Sequence, residues 1–237
     1  MKTTLKTGLA ALLLFLAISC KKENSSIQSS GINSVSSTRD ALTEASALAG
    51  NTVRIGSQVW MKKNWTGKTY RNGDKILQVQ DTRKWSKLTT GAWCWYNNDS
   101  ATGTVYGRLY NWYAVNDPRG LAPEGWHIPS DSEWTILSTF LGGESVAGGK
   151  MKSPGTLEAG TGLWYTPNTD ATNSSGFTGL PGGGRTNTGD FSDMNASGGW
   201  WSYNSNVHYW YLYYEWGTFN SSSYFKQNGF SVRCLKD

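Results

Sequence analysis

The chain has 237 residues, of which only 16% are charged, with a net charge of +5 and two histidines. Part of the cationic excess lies near the N-terminus, and Lys62, Lys63, Lys68 and Arg71 are scattered rather than gathered in a stripe, so nucleic acid is not expected as a partner. Aromatic residues are plentiful instead, with 13 Trp, 12 Tyr and 7 Phe.

Lys2 and Lys6 precede an apolar run from Leu9 to Ile18, followed by Ser19-Cys20. A charged start, a short apolar stretch and a small residue before the cut read as a secretory signal. The run is too short to span a bilayer as a mature helix. Cysteine directly after the small residue resembles a bacterial lipobox, although Ala17 stands where leucine is commonest. Residues 1–20 are therefore expected to be a lipoprotein signal with Cys20 the lipidated residue; the alternative is an unlipidated signal carrying a chance cysteine. The expected location is the bacterial cell envelope, on a surface-exposed outer-membrane lipoprotein held by its lipid. Residues 21–51, rich in Ser, Asn, Thr and Ala, read as a flexible tether. Residues 52–237 are long enough for one domain with its own core.

Within that domain Thr52 to Trp60 alternates around Gly56-Ser57, a hairpin signal that buries Val53, Ile55, Val59 and Trp60, with the second strand running on to Trp65. Arg71 to Asp74 is a turn, and Ile76 to Leu88 reads as irregular, anchored by Val79 and Trp85. Trp93 to Tyr96 reads as a short buried strand before a loop over 97–103. Tyr106, Leu109, Tyr110 and Tyr113 recur at helical spacing, which predicts a helix ending at Asn116-Asp117-Pro118. Ser130 and Glu133 form a capping box after Pro129. The helix it opens presents Trp134, Leu137 and Leu141, widened by Ile136 and Phe140, and stops at Gly142-Gly143. Residues 144–198 read as a long loop region with isolated apolar anchors, within which Phe177 to Arg185 is a strand ending in a turn at Gly182-Gly183-Gly184.

Cys94 and Cys234 remain once Cys20 is set aside. In an exported protein they form either one disulfide, worth up to roughly 4–5 kcal/mol in the chain-entropy model, or two buried free thiols.

Several motifs in order resemble one family: Val59-Trp60-Met61 with Asn64, Trp93-Cys94-Trp95-Tyr96-Asn97-Asn98-Asp99, Tyr106-Gly107-Arg108-Leu109-Tyr110-Asn111-Trp112, and Gly125-Trp126-His127-Ile128-Pro129-Ser130. Glu133-Trp134, Gly176-Phe177, Leu180-Pro181-Gly182-Gly183, Trp200-Trp201-Ser202 and Gly229 to Cys234 continue the series. Over residues 52–237 the chain is similar to the Fibrobacter succinogenes major paralogous domain. The resemblance implies an α+β, C-type-lectin-like fold: two helices, a hairpin-built antiparallel sheet and a long loop region. The chain end also looks like the formylglycine-generating relatives of that fold, but Cys234 lacks the nearby second cysteine on which those enzymes depend.

No catalytic set stands out. His127, between Trp126 and Ile128, reads as a hydrogen-bonded core residue, and His208 has no second metal ligand near it. Zinc spacing, a nucleophile elbow and the lectin calcium patterns are missing from the sequence. Asp190, Asp193 and Glu215 do not define a hydrolytic pair. No enzyme, metal or cofactor is therefore expected.

Twelve of the twenty-six residues from Trp200 to Phe225 are aromatic, set among Ser, Asn and Gly, the composition of adaptable binding loops. A strand over 208–214 puts Tyr209, Tyr211 and Tyr213 on one face and Trp210, Leu212 and Tyr214 on the other. Apolar Leu212 assigns the second face to the core. The expected ligand-facing set is Tyr203, Asn204, His208, Tyr209, Tyr211, Tyr213, Trp216 and Asn220, and the expected ligand a glycan or a protein. An alternative reading is a sequence-diversified display protein, because Tyr203 to Phe225 is similar in composition to the variable proteins of diversity-generating retroelements. A glycan-active enzyme is the less favoured reading.

Overall fold

The computed structural model describes residues 50–204 and 206–237. The signal segment, Cys20 and nearly all of the tether lie outside the described residues. The domain is a mixed α+β structure, mostly sheet, with thirteen short strands in two sheets among the described residues.

The first hairpin forms as its pattern requires. Strands β1 (Thr52–Ile55) and β2 (Gln58–Met61) pair antiparallel across Gly56, whose positive φ of 60° suits glycine. Ile55 and Trp60 are buried, while Val53 and Val59 are half-buried. The second strand stops at Met61 rather than reaching Trp65. β2 also pairs with β13 (Leu235–Lys236), which pairs in turn with β6 (Trp126–His127), giving a four-stranded sheet that joins the start of the domain to its end.

The larger sheet runs β11 (Asn220–Ser223), β10 (His208–Tyr213), β9 (Ser197–Trp201), β7 (Gly182–Arg185), β12 (Gly229–Phe230), β5 (Leu109–Asn111), β4 (Ala92–Cys94) and β3 (Leu77–Gln78), with β8 (Phe191–Met194) on β7. The neighbouring Trp200 and Trp201 are both fully buried, in two different clusters. Successive strand residues point to opposite faces, so one Trp pair serves both sides of the sheet. Trp200 joins Trp60, Trp134, Phe177, Trp210 and Phe219, with Trp60 and Trp134 ring centroids 4.6 Å apart. Trp201 joins Tyr110, Trp112, Phe230 and Val232.

Five α-helical segments lie among the described residues: α1 (Thr82–Ser86), α2 (Ser100–Tyr106), α3 (Trp112–Val115), α4 (Asp131–Phe140) and α5 (Glu144–Met151). The predicted capping box opens α4, with Ser130 and Glu133 satisfying each other's backbone N–H groups. Ile136 and Phe140 do not widen its buried face; both are exposed, and Phe140 lies over Gly56.

Five helical segments stand where two helices were expected, residues 76–88, read as irregular, contain β3 and α1, and three further stretches differ from expectation. No helix runs from Tyr106 to Tyr113. The helix comes earlier, capped by Asp99, and ends at Gly107 with φ 82°. Leu109 and Tyr110 then enter β5, and the Asn111 side chain caps α3, so the apparent helical period spans two elements. The triglycine is a strand rather than a turn: a Cβ on Gly183 would lie 2.4 Å from the Ser192 carbonyl oxygen, so only glycine lets β8 approach so closely. Residues 144–151, read as loop, form α5, whose Gly148 and Gly149 allow it to lie directly against the backbone of Thr218 and Asp170.

Cys94 and Cys234 are free and buried, in separate clusters. The disulfide alternative is thereby corrected: each thiol packs as a small apolar group. Burial pushes both thiols up to about 12.

Candidate functional site

Strand pairing sorts the predicted ligand-facing residues. Tyr209, Tyr211 and Tyr213 are registered with Trp201, Gly199 and Ser197 on β9, and Tyr211 with Asn220 on β11, so these residues share one face. Trp210 and Leu212 face the other way and are buried, as the apolar Leu212 led one to expect.

Tyr209 is a correction. It is buried, stacked on Phe230 with centroids 4.2 Å apart and planes 6° from parallel, and Tyr224 meets it edge-on at 5.1 Å. Gly199 leaves no side chain to hold the ring away. Burial pushes the Tyr209 hydroxyl well above the usual phenol range. Tyr211 is half-buried beside it, at 5.3 Å.

His208 and Asn204 are also corrected, because their polar atoms are engaged elsewhere. His208 shares the rear face with Trp210, and both reach Asp131 at the start of α4: His208 Nδ1 and Trp210 Nε1 each lie 2.9 Å from Oδ1. The Asn204 amide donates to Oδ2 of the same carboxylate. Burial alone would raise the Asp131 pKa, but hydrogen bonds from His208, Ser202 and Trp210 outweigh it and hold the carboxyl below its ordinary value. Asp131 thus ties the loop before β10 to α4. Tyr203 is exposed but sits apart, lining a cleft of about 420 Å³ with Arg71, His127 and Glu133.

The accessible rings gather at the far end of β10. Tyr213 lies 4.8 Å from Trp216 and 4.9 Å from Tyr214, and Tyr214 lies 6.0 Å from Tyr165. Trp216 and Tyr165 are exposed, and Tyr213 and Tyr214 are half-exposed. The Tyr214 hydroxyl donates to Glu215 at 3.1 Å, which places a carboxylate at the rim. Tyr214, assigned to the inward face, belongs to this plate because β10 ends at Tyr213. Asn220 is nearby in sequence but bonds Thr218 Oγ1.

The plate rests on a fixed backbone. Lys152 is fully buried, and its Nζ donates to the carbonyls of Tyr213 at 3.1 Å and Trp216 at 2.9 Å, with a longer contact of 3.5 Å to Tyr214. Gly149 N–H donates to the Gly217 carbonyl at 2.9 Å, and Phe219 N–H to that of Glu144 at 2.8 Å. Tyr165 and Lys152 carry no sequence signal for the plate; both are distant from it along the chain, and no local pattern connects them to it.

His127 is hydrogen-bonded, though half-buried rather than in the core. Nε2 lies 2.9 Å from Glu133 Oε1 and Nδ1 lies 2.6 Å from Asp237 Oδ1. Two carboxylate acceptors require both ring nitrogens to carry protons, which favours imidazolium. Burial opposes the charge, but the bonds to Asp237 and Glu133 prevail and raise the His127 pKa above 6.5. Glu133 is lowered below 4.5: burial opposes the charge, and bonds from Ser130 and His127 outweigh it. A raised histidine stabilises fully below its unfolded value and loses that contribution as pH rises through the folded value; a lowered carboxylate contributes above its unfolded value. The cluster's contribution is therefore largest between 4.5 and 6.5 and fades above. With partly exposed groups, the difference in stability between wild type and His127→Gln should be no more than about 1 kcal/mol near pH 5.5 and should shrink by pH 8.5. Urea unfolding of both proteins at the two pH values measures it.

Fold and site together define a mixed α+β domain that carries an accessible aromatic plate on a rigid strand end. The sequence matches the Fibrobacter succinogenes major domain over residues 53–236, and the chain belongs to that family. Searches among curated proteins and among solved structures returned no match. Among the described residues no helix is long and apolar enough to cross a membrane.

Proposed function

We propose that this chain is an exported, lipid-anchored protein of the bacterial envelope whose C-type-lectin-like domain binds a glycan or protein ligand without turnover. The observation that carries the reading is the plate of Tyr165, Tyr213, Tyr214 and Trp216, exposed on a backbone that Lys152 and α5 hold from behind. Rigid aromatic faces beside a carboxylate suit both sugar CH surfaces and protein hot spots, and their ordering entropy is already met by folding. The pairing of the first hairpin with the last strand supports the C-type-lectin-like assignment, and the lipobox-like Cys20 supports the anchor. The binding face now centres on Tyr213 and Trp216, with Tyr211 at its edge.

Glycan-array and pull-down screens of the full-length chain, repeated with Trp216→Ala, test the proposal. Loss of a hot-spot aromatic should weaken the captured ligand by about tenfold or more, while the melting temperature moves by less than about 2 °C because the ring is exposed. A wild-type chain that captures nothing, or a variant that captures as well as wild type, rejects it.

A further inference from the structure

The loop after β2 walls a second cleft, of about 540 Å³, on a part of the domain far in sequence from the aromatic plate. Its lining includes Lys63, Trp65, Lys68 and Arg108, and no carboxylate. The fold thus brings Arg108, forty residues further along the chain, to the two lysines of this loop. The wall is firmly held: Trp65 N–H donates to the Val232 carbonyl at 2.7 Å, and the buried Tyr110 hydroxyl donates to the Gly67 carbonyl at 2.6 Å.

Arg108 differs from the other guanidinium groups set into the fold. Arg71, Arg185 and Arg233 spend their donors on backbone carbonyls or on Asn64. Arg108 is held by stacking, 4.1 Å above the Trp93 ring and 5.9 Å from that of Trp95, and its Nε is buried without a hydrogen-bond partner. The Trp65 indole N–H, on the same cleft, is also buried and unpartnered. A buried donor left unmatched costs free energy, and neither group is committed to the fold's own hydrogen bonding. A guanidinium oriented by aromatic rings presents a planar fork suited to a carboxylate or sulfate.

We propose that this cleft is a binding site for an acidic saccharide, with a sugar carboxylate or sulfate on Arg108, assisted by Lys63 and Lys68, and the ring against Trp65. The volume lies in the range of small-ligand pockets, and an indole wall beside a cation fits a sugar ring that carries one oxyanion. The assignment is independent of the plate.

Calorimetric titration of the full-length chain with a uronic-acid disaccharide, a sulfated disaccharide, a neutral disaccharide and inorganic sulfate tests it. One acidic disaccharide should bind at least about tenfold more tightly than the neutral one, and its affinity should fall several-fold between about 50 and 500 mM NaCl. Arg108→Gln should weaken that binding by about tenfold or more. Should Arg108→Gln not fold, the double variant Lys63→Gln/Lys68→Gln, at two exposed positions, should still weaken it by about threefold or more. The two acidic ligands distinguish carboxylate from sulfate. Equal binding of acidic and neutral sugars, no acidic sugar bound below about millimolar, affinity unaltered in the cleft variants, or sulfate alone binding as tightly as the saccharide would each overturn the proposal.

Discussion

Replacing Arg233 with methionine is expected to destabilise the domain by about 2–4 kcal/mol, the cost of leaving several buried acceptors without their charged donor. Arg233 is fully buried and has no carboxylate partner among the described residues. Its Nε and Nη2 donate to Asn64 Oδ1 at 3.0 and 2.8 Å, and Nη1 donates to the carbonyls of Met61 at 3.0 Å and Phe177 at 2.7 Å. Its plane lies 4.4 Å from the Phe177 ring. Burial pushes its pKa down to about 9, so the cation persists at neutral pH. Methionine would fill the space and strand the acceptors. Asn64 Oδ1 would keep only the Trp200 indole, at 2.8 Å. Arg233→Lys should recover little, because one ammonium cannot span acceptors arranged for a planar fork. Urea unfolding at pH 7 measures both; an unaltered midpoint in Arg233→Met would show that the network contributes nothing net.

Lys152→Met should cost about 2–4 kcal/mol, from unmaking charge-assisted hydrogen bonds and leaving carbonyls at the end of β10 without a donor. Burial lowers the Lys152 pKa to about 8, which leaves the ammonium charged at neutral pH. The expected effect is also functional. Lys152 touches no exposed ring, yet it holds the carbonyls of Tyr213 and Trp216, so ligand affinity at the plate should fall in the variant even at temperatures where the domain stays folded. Urea unfolding and ligand titration on the same preparation separate the two losses. Full affinity in a destabilised Lys152→Met would show that the plate does not need this clasp.

Local patterns are legible wherever neighbours in sequence set the structure. The Gly56 hairpin and the Ser130–Glu133 capping box depend on contacts within a few residues, and both formed as expected. The inward turn of Trp210 and Leu212 followed from strand alternation. Residue spacing misleads where an element boundary interrupts it. Tyr106 to Tyr113 has a helical rhythm, but Gly107 and the Asn111 cap divide it between a helix end, a strand and a new helical turn. The glycines at 182–184 looked like a turn because the close approach of β8 that requires them is a contact at a distance.

The sequence by itself determined the family, the mixed α+β class and much of the aromatic core. It did so because motif order, alternation and capping are properties of neighbouring residues. Which tyrosines are accessible was decided only by the tertiary structure: Phe230 covers Tyr209, and the end of β10 turns Tyr214 outward beside Tyr165. Each outcome depends on a partner far along the chain, and exposure is a property of what packs on a residue rather than of the residue itself.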